Sequence, residues 1–114
     1  MVSSGNWSGI SNIYQNEKYI PETFVLEQNY PNPFNPSTVI EYGLPAKSTV
    51  RLQIFNVLGQ RVATLHDGEE AAGYHRILWN GNASSGIYFY CIDAVSTTDP
   101  NNRFMKVKKM ILLK

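Results

Sequence analysis

Between Thr23 and the C-terminus, short runs of apolar residues alternate with polar ones and are separated by turn residues. In Thr38–Leu44, Thr38, Ile40, Tyr42 and Leu44 interleave with Val39, Glu41 and Gly43. That period of two predicts a strand with the first set facing a core. Pro45 ends it, because proline has no N–H to give a ladder. Ser48–Asn56 repeats the device, with Val50, Leu52 and Ile54 inward and Arg51 and Gln53 outward. Ile87–Val95 sets Tyr88, Tyr90, Ile92 and Ala94 against Ile87, Phe89, Cys91 and Asp93.

Less regular runs fill the intervals. Phe24–Gln28 predicts an opening strand, Arg61–His66 a strand after the Val57-Leu58-Gly59-Gln60 turn, and Tyr74–Asn80 another with Ile77 and Trp79 on one face. Asp67–Gly73 reads as an acidic loop closed by glycine, 81–86 as a second loop, and Phe104–Leu113 as the last strand after the polar loop Ser96–Asn102. Seven strands and no helix predict an all-β fold, a seven-stranded immunoglobulin-like antiparallel β-sandwich, with a small closed barrel as the second choice.

One segment breaks the rhythm. QNYPNPFNPST, Gln28–Thr38, holds three prolines and three asparagines. Proline fixes φ and restricts the residue before it, here Tyr30, Asn32 and Asn35. The expectation is a stiff crossover from one sheet to the other, anchored by Tyr30 and Phe34, with asparagine amides satisfying main-chain groups. Residues 1–22 show no periodicity and read as a linker or the tail of a preceding domain, with the ordered domain at 23–114.

Composition narrows the function. The chain has 114 residues, 43% hydrophobic, enough for one domain with its own core. Net charge is +1, which gives no reason to expect nucleic acid. Arg103, Lys106, Lys108, Lys109 and Lys114 nevertheless place half of the ten basic residues in the last twelve positions, with no acid among them. Cys91 is the lone cysteine, so an internal disulfide and a multi-cysteine zinc site are both excluded. No apolar run has the length of a membrane-spanning helix. Val2-Ser3-Ser4-Gly5-Asn6 is unlike an export leader, so an exported parent would be longer than this chain.

Candidate chemistry is sparse. His66 and His75 have no cysteine or paired histidine close in sequence, and Ser84 and Ser85 lack the frame of a nucleophile elbow. No cofactor, metal or catalytic residue is expected. Trp79, Tyr88 and Tyr90 suggest a sugar-binding platform only if exposed, and their alternation favours the core. Cys91 is expected on a half-exposed strand face as an unreactive small residue.

Taken in order, FVLEQNYPNPFNPSTVIEYGLP, VRLQIFNVLGQRVATL, AGYHRILWNG, SGIYFYCI and KKMILLK resemble the type A C-terminal sorting domain of the type IX secretion system, found on proteins exported by Bacteroidetes and related phyla. Asn29, Tyr30, Pro31, Asn32, Pro33, Phe34, Asn35, Pro36, Gly59, Gly73, Gly86 and Tyr88 carry the match. Asn56 and Asn80 stand where aspartate is commoner, Cys91 where a basic residue is usual, and the 96–102 loop is longer than typical.

The resemblance implies a non-catalytic, immunoglobulin-like module that directs an N-terminal cargo domain through the outer membrane to the cell surface or medium after transit through the periplasm. Its partners would be the type IX translocon, an outer-membrane shuttle protein and a surface sortase that cuts in the lead before Phe24. It would act as a monomer. The translocon would read Lys106, Lys108, Lys109, Met110, Ile111, Leu112, Leu113 and Lys114, in which an edge strand offers unpaired main-chain groups. A sugar-binding module of a secreted hydrolase and an assembly domain related to the flagellar hook cap are the alternatives.

Overall fold

The three runs with the clearest alternation line the core. In the computed structural model, which describes residues 20–114, β2 (Ser37–Leu44), β3 (Ser48–Asn56) and β6 (Gly86–Ser96) bury Thr38, Ile40, Tyr42 and Leu44, then Val50, Leu52 and Ile54, then Tyr88, Tyr90, Ile92 and Ala94. The four further strands are β1 (Val25–Leu26), β4 (Arg61–Glu70), β5 (Gly73–Asn80) and β7 (Arg103–Leu112). They assemble as two antiparallel sheets, β1-β2-β5 and β4-β3-β6-β7. This is the expected immunoglobulin-like sandwich.

Phe34, Trp79, Met110 and Leu112 complete the core. The Phe34 and Trp79 ring centroids lie 5.7 Å apart, and Tyr88 meets Trp79 edge-on at 5.9 Å. Such tilted aromatic pairs add to the hydrophobic gain of burying the rings.

Four sequence expectations need correction. Asp67–Glu70 is strand, not loop: β4 pairs with β3 as far as Ser48↔Glu70, leaving Ala71 and Ala72 to link β4 to β5 in the opposite sheet. The acidic residues fit there because β4 is an edge strand whose charges face solvent or a partner. Asp67 lies 3.7 Å from Arg51 and Glu69 3.4 Å from Lys47. Charge on an edge also discourages unwanted pairing.

The proline stretch is likewise not a crossover. It joins β1 to β2, neighbours in the same sheet, and touches the other sheet through a parallel bridge between Phe34 and Leu112 of β7. Tyr30 is no anchor either: 80% of it is exposed, while Asn29 beside it is buried. The opening strand is shorter than Phe24–Gln28, since regular pairing is limited to Val25↔Gly43 and Leu26↔Tyr42. Residues 1–19 of the expected lead lie outside the described residues. Pro21 is buried over Gly43, where an added Cβ would lie 2.9 Å from it and 2.9 Å from Tyr74.

Two glycines are required by geometry. Gly59 has φ of 81° in the β3–β4 turn, where Asn56 Oδ1 accepts from the N–H groups of Leu58 and Gln60. A Cβ on Gly81 would lie 3.1 Å from both Phe34 and Leu112. The second close approach is not announced by local sequence.

Two core hydroxyls bind the sheets together. Tyr90 Oη accepts from the Asn29 N–H at 2.8 Å and donates to the Glu27 carbonyl at 2.7 Å, and Tyr42 Oη donates to the Glu70 carboxylate. Burial pushes the Tyr90 hydroxyl up to about 12; the Asn29 N–H works against that rise and the Glu27 charge adds to it. Burial, the hydrogen bond to Glu70 and that carboxylate's charge all push Tyr42 up as well.

An unfolded tyrosine ionises near pH 10. The folded state therefore keeps protons that the unfolded chain releases. The stability this confers is intact below about pH 10 and is lost as pH rises towards about 12 for Tyr90. Denaturant midpoints measured from pH 8 to 12 are expected to stay level to about pH 10 and then fall. The fall should be shallower in Tyr90→Phe. Equal slopes for the two proteins would contradict the assignment.

Candidate functional site

The C-terminal strand does not stand as a bare edge. From Lys109 to Leu113, the outward main chain is held by the proline stretch: Gln28 Nε2 donates to the Lys109 carbonyl at 2.8 Å, and the Ile111 N–H donates to Asn32 Oδ1 at 3.0 Å. The Phe34 N–H donates to the Ile111 carbonyl at 2.9 Å, and the Leu113 N–H to the Phe34 carbonyl at 3.0 Å. Phe34 thus runs parallel to β7 at Leu112. The expectation of unpaired groups along Lys106–Lys114 is corrected from the Lys109 carbonyl to the Leu113 N–H, where they are already paired, while Val107 keeps outward groups without a partner among the described residues.

The clasp is itself well supported. Asn29 Nδ2 donates to Thr38 Oγ1 and to the Pro31 carbonyl, at 3.0 and 3.1 Å, and Thr38 Oγ1 donates to that same carbonyl at 2.9 Å. Gln28 Nε2 donates its second hydrogen to Asn29 Oδ1 at 2.7 Å. The Gly81 N–H donates to the Pro36 carbonyl at 2.7 Å, fixing the far end. Asparagine and glutamine suit this work because one side chain donates and accepts at once. Pro31, Pro33 and Asn35 are exposed and supply shape.

The expected recognition residues divide by face. Met110 and Leu112 are fully buried core residues. Lys109 and Ile111 lie on the outer face of the four-stranded sheet, opposite Phe89 and Ile87 respectively, with Phe55 beyond Phe89 on β3. Lys106 and Lys108 lie on the other face of β7, the first exposed and the second half-buried. Leu113 and Lys114 follow the strand, and the Lys114 N–H donates to Ser85 Oγ at 2.9 Å. A lysine-bordered apolar strip of Phe55, Ile87, Phe89 and Ile111 results. Sequence reading missed its three residues outside β7, although the apolar residues on both faces of Ile87–Val95 were the signal.

Among the other candidates, Trp79, Tyr88 and Tyr90 are buried and form no platform. Tyr88 Oη donates to the Ser84 carbonyl at 2.6 Å. Cys91 sits half-buried on the outer face, its thiol pushed up first by burial and then by Asp93. Gly73 and Gly86 begin β5 and β6.

The fold brings together one cluster that sequence separation hides. Glu70 lies 3.7 Å from His66 Nε2 and 3.3 Å from His75 Nδ1, and His75 stacks on Tyr42 at 5.5 Å. With Tyr42 bound to the same carboxylate, the cluster ties β4 to β2 and β5. Among the described residues, no group of three His, Cys, Asp or Glu side chains is arranged to hold a metal ion, and no helix is long and apolar enough to cross a membrane.

No curated protein matches the chain. A family model described as a secretion system C-terminal sorting domain matches residues 28–111, from the first residue of the clasp to the strand it holds. That span covers the sandwich almost whole, and the chain belongs to the family of secretion system C-terminal sorting domains.

Proposed function

We propose that the chain is a folded, non-catalytic address that routes an N-terminal cargo through the type IX outer-membrane translocon. The family match over 28–111 carries this reading. The machinery reads the side chains of the C-terminal segment that reach the surface, Lys106, Lys109, Leu113 and Lys114 exposed and Lys108 and Ile111 half-buried, as the folded domain presents them. An outer-membrane shuttle protein receives the domain after periplasmic transit. A surface sortase then cuts in the lead before Phe24, and cargo ends at the cell surface or in the medium.

The layout supports a display role. The clasp fixes β7 through main-chain groups and leaves Lys109, Leu113 and Lys114 exposed. Lysines arranged on a rigid strand give a partner orientation and on-rate.

The test is a leader-bearing reporter fused to the full chain in a host that has the translocon. Protease shaving of intact cells is expected to remove the reporter from the surface, whereas the reporter without the chain stays in the periplasm. A fused reporter that remains periplasmic would refute the reading.

A further inference from the structure

β7 has two unlike halves. From Lys109 onward its outward edge is clasped, but alternation turns the N–H and C=O groups of Arg103, Met105 and Val107 to that same edge. There they find no hydrogen-bond partner among the described residues, because β6 pairs along the opposite side. The open stretch is bounded by the 97–102 loop at one end and by Gln28 at the other.

Its two faces differ in chemistry. Lys106 and Lys108 project on the side facing the three-stranded sheet, and neither has an acidic group within ion-pair distance among the described residues. On the outer side, Met105 and Val107 are 60% and 55% exposed, while Arg103 is held by two hydrogen bonds to Asp93 at 3.1 and 2.9 Å. Past Phe104, which stacks on Phe24 at 5.5 Å, the inner face offers the lysine charge and the outer face the apolar surface of Met105 and Val107, and these define the complement. A strand added here needs acidic side chains beside the lysines and apolar ones beside Met105 and Val107.

We propose that the open half of β7, Arg103–Val107, takes an extended acidic segment of a partner protein as an added strand. A second copy of this chain is the poorer fit, since antiparallel self-pairing brings lysines of both copies to one side. The chain's own lead is also poor: residues 1–19 hold a single acid, Glu17, next to Lys18. The inference goes beyond the export reading and does not depend on it, because the edge is open whichever partner uses it.

The probes are two end-blocked peptides, one alternating glutamate with valine and one alternating lysine with valine, added to the isotope-labelled full chain. The glutamate peptide is expected to shift the Met105 and Val107 amide resonances saturably and to leave those of Ile111 and Leu113 in place. The lysine peptide should bind at least about tenfold more weakly. Met105→Pro removes an outward N–H that no bond in the fold uses, a change edge strands accept, and should abolish binding. Lys106→Glu leaves that face neutral beside Lys108, should remove the peptide preference, and serves alone if the proline variant does not fold. Equal binding of both peptides by the parent, shifts confined to other strands, no saturable shift, or full binding by Met105→Pro would overturn the proposal.

Discussion

Phe34→Ala is expected to cost about 3–5 kcal/mol, the range for removing a buried aromatic side chain, as a fall in the denaturant midpoint. The residue is 2% exposed, lies against Trp79, and closes on the position where Gly81 has no Cβ. Its main chain also holds Ile111 and Leu113, so their amides should exchange faster in the variant. Tyr30→Ala, four residues earlier at an 80% exposed position, should change stability by no more than about 0.5 kcal/mol. A Phe34→Ala protein within about 1 kcal/mol of the parent would show that the ring is not what seats the clasp.

Removing Lys108–Lys114 should have a larger effect still. The deletion takes Met110 and Leu112, both 0% exposed, and all the main-chain partners of Gln28, Asn32 and Phe34. Each buried side chain is worth about 2–5 kcal/mol, against a total stability of about 5–15 kcal/mol for a typical domain. Circular dichroism of the truncated chain is expected to show no cooperative unfolding transition. A truncated chain that melts like the parent would mean that β7 contributes little to the core. The physical consequence bears on export: loss of delivery after this truncation would reflect loss of the fold as much as loss of the address. Point substitutions at exposed positions separate the two.

The sandwich was legible where one face of a strand is buried and the other wet. Ile40, Leu52, Ile54, Tyr90 and Ile92 alternate with residues at least partly exposed, so the period of two identifies both strand and core face. β4 was legible only in its first half. Asp67-Gly68-Glu69-Glu70 carries turn and loop composition, and its pairing with β3 depends on a partner that local sequence does not name. The clasp was illegible for a related reason. Its composition marks stiffness, but the bonds from Gln28 to Lys109 and from Ile111 to Asn32 join residues 81 and 79 positions apart.

For the candidate site, the basic C-terminal cluster stood out by charge alone. Its division into two faces did not, because Lys108 and Lys109 look alike in sequence and point to opposite sides of one strand. The buried positions of Met110 and Leu112 follow from alternation once β7 is placed. Burial of Asn29 required the Tyr90 hydroxyl and Thr38 to be in reach, which only the assembled sheets supply.

On the proposed function, exposed side chains at the end of a folded domain carry the address. The most direct measurement of this is the surface-exposed fraction of a reporter fused to the chain bearing Lys109→Glu, Leu113→Asp and Lys114→Glu, read beside the unfolding midpoint of the same triple variant. All three positions are exposed and outside the core. The expected result is an unfolding midpoint close to the parent's and a reporter held in the periplasm. A triple variant that folds like the parent and still delivers its reporter to the surface would contradict it.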